Sequence, residues 1–177
     1  MRLFVAADVP VTVRRVLSAL PQPARTGLRW TTPAQWHVTL RFLGEVGEPA
    51  AVAEALCLIP SRLGAERVEA ALGPASAWFA SSRVLQIPVT GVEALAGAVL
   101  EATSRWGRSQ EPAFAGHVTL ARFRGPGSQP TDLAGMPLRA RFDVPEVVLY
   151  RSSPGPDGSI YQALFHVPVA VSPEDDA

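Results

Sequence analysis

One tetrapeptide occurs twice in this chain. His37-Val38-Thr39-Leu40 returns 80 residues later as His117-Val118-Thr119-Leu120, in a sequence with only three His and nine Thr. Thr falling two places after two of three His by chance is an event of roughly one in a hundred, and the shared Val and Leu make coincidence rarer still. In a strand, residues two apart project to the same face. His37 and Thr39 therefore point one way, Val38 and Leu40 the other, and the second copy repeats the division. The apolar pair belongs to a core, and the polar pair belongs to water or a cleft. The repeat predicts two similar halves, each a helix-bearing segment feeding a strand, with the two copies side by side around one small space.

Composition limits what that space can serve. The 177 residues carry 16 Lys plus Arg and 16 Asp plus Glu, a net charge of zero. This balance argues against a coat of positive charge for long duplex nucleic acid, though not against a local cleft for one phosphate. All 16 cations are Arg, so neither Schiff-base nor lysyl-nucleotide chemistry is open to the chain. No apolar run approaches the roughly 20 residues of a membrane span, and Asp8 interrupts the opening too early for a secretory segment. A lone Cys57 forms no internal disulfide and reads as a buried structural thiol in a helix. The expectation is a cytoplasmic monomer with no membrane attachment and no obligate protein partner. One domain over 1–171 is followed by a frayed acidic tail, 172–177.

Periodicity predicts strands at 3–9, 28–31, 36–43, 68–72, 84–89 and 117–123, and a hairpin of 142–150 with 160–169. Helical spacing runs over 11–20, 49–63 and 91–106. Strands and helices mix without a strict βαβ rhythm, so the fold class is α+β.

Two imidazoles and two hydroxyls around one space suit phosphodiester hydrolysis. That reaction needs a base for water and an acid for the leaving oxygen at once, and imidazole serves either role near neutrality. Thr hydroxyls and a guanidinium can hold the non-bridging oxygens as charge grows on them. No metal or other cofactor is then required. The plain alternative is a pair of strand histidines satisfied by hydrogen bonds. A metal site is another, with His166 as a third ligand, but each motif supplies only one ligand per strand. Strict alternation puts Arg122, five residues after His117, on the face opposite to it. A bulge is needed for Arg122 to reach a phosphate. Arg41, four after His37, is correctly phased and stands as the fallback ligand. Phe4, Phe42, Tyr161, Trp36 and Phe123 are candidates for stacking a terminal base, while Trp78 and Phe79 lie in a stretch, 75–82, that sequence alone does not place.

With those motifs in hand, the chain resembles the two-histidine (2H) phosphoesterases, in particular the RNA 2′,3′-cyclic phosphodiesterases historically called 2′-5′ RNA ligases. Arg2-Leu3-Phe4-Val5-Ala6 looks like the family's opening strand. Trp30 with His37–Glu45, Phe114 with His117–Arg122, and Val148–Ser152 with Gly158 and Tyr161 look like its two motif blocks and C-terminal hairpin. The resemblance implies a bilobal fold, with two pseudo-twofold-related antiparallel sheets, outer helices and a central cleft. It implies metal-independent opening of RNA 2′,3′-cyclic phosphate ends to 2′-phosphates, and ATP-independent 2′-5′ joining in reverse. By the same analogy His37 is the acid and His117 the base, with Thr39, Thr119 and Arg122 on the phosphate. The partner is an RNA with such an end or a related small cyclic nucleotide. Alternatives are 2′-5′ oligonucleotides, an ADP-ribose cyclic phosphate, or a non-catalytic RNA-end or nucleotide binder.

Overall fold

The computed structural model describes residues 1–64, 67–79, 83–107, 113–156 and 158–170; the acidic tail expected at 172–177 lies outside them. The first half of the chain runs β1 (Arg2–Asp8), α1 (Val11–Ser18), β2 (Leu28–Trp30), β3 (His37–Glu45), α2 (Pro49–Leu56) and α3 (Ile59–Leu63). The rest runs β4 (Glu69–Leu72), β5 (Ala77–Trp78), β6 (Val84–Thr90), α4 (Glu93–Ala102), β7 (His117–Phe123), β8 (Ala140–Asp143), β9 (Glu146–Gly155) and β10 (Gly158–Pro168).

β1 is apolar from Leu3 to Ala7 and buried along that whole run, as a strand paired on both edges and covered on both faces must be. It pairs antiparallel with β3 and β9, and β10 follows β9. The other half repeats the plan, with β6 between β7 and β4 and with β8 at the edge. β1–α1–β3 thus has its counterpart in β6–α4–β7. The expected two sheets are joined edge to edge by β3 and β7, so the strand path is continuous: β10-β9-β1-β3-β7-β6-β4-β8. Between β3 and β7, Val38 opposite Val118 is the one register pair among the described residues. The halves therefore meet at the two motifs and diverge from them, which leaves a cleft over that seam. A single hydrophobic cluster, from Leu3, Val5, Val38 and Leu40 to Leu85, Ile87, Val118 and Leu120, runs beneath both.

Three expectations change. The helix expected over 49–63 is two helices, because Pro60 lacks the amide that would continue the first and instead opens the second. The strand expected over 142–150 divides at Pro145. Phe142 stays on β8 beside β4, and Val147–Tyr150 belong to β9 at the other side of the molecule. Cys57, expected to be buried, is exposed at the C-terminal cap of α2.

Candidate active site

Both motifs carry a bulge at the same place. Val5 faces Arg41 and the next residue, Ala6, faces Thr39, so Leu40 is the extra residue of β3. On β7, Leu85 faces Ala121 and Gln86 faces Thr119, so Leu120 is extra there. Each bulge reverses the alternation beyond it. Leu40 and Arg41 both turn inward, as do Leu120 and Ala121, and Phe42 and Arg122 come out on the face of the His and Thr. Arg122 thereby reaches the cleft.

Arg41, the fallback phosphate ligand, is moved off that face, which corrects the expectation. It is 5% exposed, and its guanidinium donates to Leu100 O at 2.6 Å, Thr103 Oγ1 at 2.8 Å and Trp106 O at 2.7 Å. These are groups at and just past the C-terminus of α4, where carbonyls lack helical partners. Arg41 is a structural clamp.

The cleft has a volume of about 590 Å³, and His37, Thr39, His117, Thr119, Arg122, Phe42 and Tyr161 all line it. Antiparallel register around Val38–Val118 directs the motifs crosswise, His37 towards Thr119 and Thr39 towards His117. Each imidazole is oriented by the carbonyl two residues before it. His37 Nδ1 lies 2.8 Å from Gln35 O, and His117 Nδ1 lies 2.8 Å from Ala115 O. Only an N–H can donate to a carbonyl, so Nδ1 carries the proton in both rings and Nε2 is left for chemistry. His37 Nε2 is 3.1 Å from Thr39 Oγ1, which donates to it when the ring is neutral.

The supports around each ring differ. Phe4 and Tyr161 lie 5.0 Å from His37, ring centre to ring centre. Phe4 was a stacking candidate, but it is 1% exposed and packed among His37, Phe42, Tyr150 and Tyr161. It has no open face for a base and acts as a floor under His37. Phe42, 69% exposed, keeps an open face. Trp36 is buried with its Nε1 donating to Thr31 Oγ1 at 2.9 Å, and Phe123 is buried beneath Arg83. Against His117 stands Phe79, ring centre at 4.9 Å, brought there because Phe79 N–H bonds Val84 O beside β6. Nothing in the local sequence around Phe79 showed this; only the β5–β6–β7 pairing does.

Three further residues escaped sequence reading. Gln35 lends its carbonyl to His37 and ties its amide to Ser159 O at 2.9 Å, which fixes the loop before β3 to β10. Thr31 receives Trp36 Nε1 and lies 2.8 Å from Thr119 O and Leu120 O, linking the segment before one motif to the bulge of the other. Asp8 faces His37 across β1–β3 and accepts the Tyr150 hydroxyl at 2.6 Å. Burial, with the Asp8 carboxylate adding to it, pushes the Tyr150 phenol well above its ordinary range. His166, the third metal-ligand candidate, pairs with Glu146 at 2.8 Å on exposed β10 and does not line the cleft. Among the described residues no cluster of three His, Cys, Asp or Glu is placed to hold a metal, and no helix is long and apolar enough to cross a membrane.

Desolvation holds the His37 pKa down at about 4, with His117 and Arg122 adding to the effect and the Gln35 carbonyl and Asp8 opposing it. An unfolded His titrates near 6.5, so folding expels a proton between those values. The stabilisation is complete above pH 6.5 and is lost as pH falls towards 4, amounting to about 3 kcal/mol at roughly 1.4 kcal/mol per pH unit. Guanidinium titrations at pH 7 and pH 4.5 are expected to show a larger loss of stability for the wild type than for His37→Gln. Equal losses would refute this account.

Known proteins share this fold. A LigT-like phosphoesterase family model matches residues 3–73. The RNA 2′,3′-cyclic phosphodiesterase of Archaeoglobus fulgidus is 30% identical, over 93% of this chain and 98% of that protein. Its namesake from Thermus thermophilus is also 30% identical, over 93% of this chain and 88% of that one. Among solved structures, the TT0787 protein of Thermus thermophilus superposes with a TM-score of 0.72 at 26% identity, covering 96% of this chain and 98% of that one. Escherichia coli LigT complexed with NADP+ gives 0.71 at 25% identity and the same coverage. The chain belongs to the LigT-like phosphoesterases of the two-histidine family.

Proposed function

We propose that this protein hydrolyses RNA 2′,3′-cyclic phosphate ends to 2′-phosphates. The observation that carries the reading is the pair of imidazoles, each fixed through Nδ1 by a backbone carbonyl and lining the same cleft as two threonines and Arg122. The relatives that share the name act in its support, as does their match along nearly the whole chain.

In this mechanism a cyclic phosphate sits between the motifs, with its non-bridging oxygens on Thr39, Thr119 and Arg122. His117, on the more solvent-accessible side, takes a proton from water through Nε2, and the hydroxide attacks phosphorus. The P–O3′ bond breaks, and His37 Nε2–H delivers its proton to O3′. A 2′-phosphomonoester and a free 3′-hydroxyl result, with one water consumed. A desolvated imidazolium with a pKa near 4 is a strong acid. It is sparsely protonated in the free protein, and negative charge building on the phosphate beside it raises its hold on the proton as the reaction needs it. The Asp8 carboxylate across β1–β3 acts in the same direction.

The test is to incubate the protein, with EDTA present, with a short RNA ending in a 2′,3′-cyclic phosphate and to resolve the products by chromatography. The expected product is the 2′-phosphate end, formed at the same rate with and without EDTA. A 3′-phosphate product, or no turnover, would overturn the proposal.

A further inference from the structure

A second recess, of about 500 Å³, opens beside the catalytic cleft and is lined by Arg29, Arg122 and Arg124 together with the β9–β10 turn around Gly155, Gly158 and Ser159. Arg29, Arg122 and Ser159 line both spaces, so the recess is continuous with the cleft. Three guanidiniums reach it by strand geometry. Arg29 stands directly opposite Arg122 in the β2–β7 pairing. Arg124 follows Arg122 by two residues, roughly 6–7 Å further along at a strand's rise, with its amide bound to Gly27 O at 2.7 Å. Two guanidiniums side by side on paired strands present several N–H donors that the oxygens of one anion can bridge. The turn also has a shape fitted to Arg29. A β-carbon at Gly158, whose φ is +111°, would overlap the Arg29 guanidinium, so only Gly lets that group lie against the hairpin.

We propose that this recess is a second phosphate subsite, which takes the phosphodiester on the 5′ side of the terminal nucleotide while the cyclic phosphate lies between the histidines. The assignment rests on the phosphodiesterase reading above. Arg122 faces both spaces and contacts either phosphate; Arg29 and Arg124 belong to the second. Planar guanidiniums match phosphate oxygens two at a time, and an array of three selects a doubly phosphorylated nucleoside over one with a single phosphate. The favoured substrate is therefore the end of an oligonucleotide, not an isolated nucleoside cyclic phosphate.

The experiment is a calorimetric titration of the whole chain with adenosine 2′-monophosphate and adenosine 2′,5′-bisphosphate, which does not depend on turnover. Arg124 is exposed, so its replacement leaves the core intact. The wild type is expected to bind the bisphosphate at least tenfold more tightly than the monophosphate. That ratio should fall to within about twofold in Arg124→Ala and survive largely in Arg124→Lys. The salt slope for the bisphosphate should exceed that for the monophosphate by about one. Equal affinities in the wild type, or an undiminished ratio in Arg124→Ala, would overturn the subsite. A bisphosphate preference in a protein that opens no cyclic phosphate would uphold the subsite and remove the phosphodiesterase reading instead.

Discussion

Alanine at His37 or at His117 is expected to lower kcat on an RNA 2′,3′-cyclic end by about 10²–10⁴-fold each, the usual contribution of one positioned proton-transfer group. The double variant should be little worse than either single one, because acid and base act on the same step and their effects do not add. The two roles separate with a changed leaving group. A nucleoside 2′-(p-nitrophenyl phosphate), which keeps P–O2′ and sets the new leaving group in the place of O3′, releases a phenolate that needs no protonation. On it the acid variant should regain most of its lost rate, whereas the base variant should stay slow. Recovery in His37→Ala alone would support the order proposed here, and recovery in His117→Ala alone would reverse it. A pH profile does not make this distinction, since acid and base limbs belong to the pair and not to either ring. Desolvation of one imidazole in the free protein nevertheless depresses the lower of the pair's two apparent values. The acid limb of kcat/KM should lie near pH 4, well below that of an ordinary imidazole.

Much of this site was legible because it depends on period-two alternation and on a repeat, both carried by the sequence itself. His37, Thr39, His117 and Thr119 are positioned by three residues of strand each, and Val38 and Val118 do become the buried seam. Alternation fails at the fourth residue of each motif, where a bulge adds one residue to the strand. The need for that bulge was readable at Arg122. Nothing in the sequence of the first copy marks its bulge, which turns Arg41 inward and brings Phe42 out. One backbone device thus gives the cleft a cationic wall from the second half and an aromatic wall from the first. Residues such as Gln35, Thr31, Asp8 and Phe79 act through partners more than 70 positions away or through strand pairing. No local pattern marks them. Gly116 belongs with them. A β-carbon there would meet Val89 O at 2.5 Å, so the residue before the second histidine is kept small by a neighbouring strand.

Arg41→Ala is expected to lower the free energy of unfolding by about 2–4 kcal/mol, since each buried acceptor left without its donor costs about 1–3 kcal/mol. The guanidinium binds three acceptors at once, and truncation would leave Leu100 O and Trp106 O without their donor at the end of α4. Thr103 Oγ1 would still donate to Val99 O at 2.6 Å, so the helix would lose its clamp before losing its last turn. Arg41→Met fills much of the volume and should recover part of the loss, but not the carbonyl bonds. Arg122→Ala is expected to behave in the opposite way. That side chain lies half-buried in the cleft, so its removal should leave the unfolding midpoint within a degree or two and cost about 10²-fold in kcat/KM, the low end for a lost charge-stabilising donor. The two arginines sit four and five residues after their histidines. If Arg41→Ala cost activity at temperatures where it remains folded, and Arg122→Ala cost stability, the bulges would not act as described. The decisive reading is therefore the pair of measurements together, denaturant unfolding and kcat/KM, on both variants. A bulge at Leu40 and another at Leu120 predict that the effects divide cleanly, one arginine holding a helix and the other holding a phosphate.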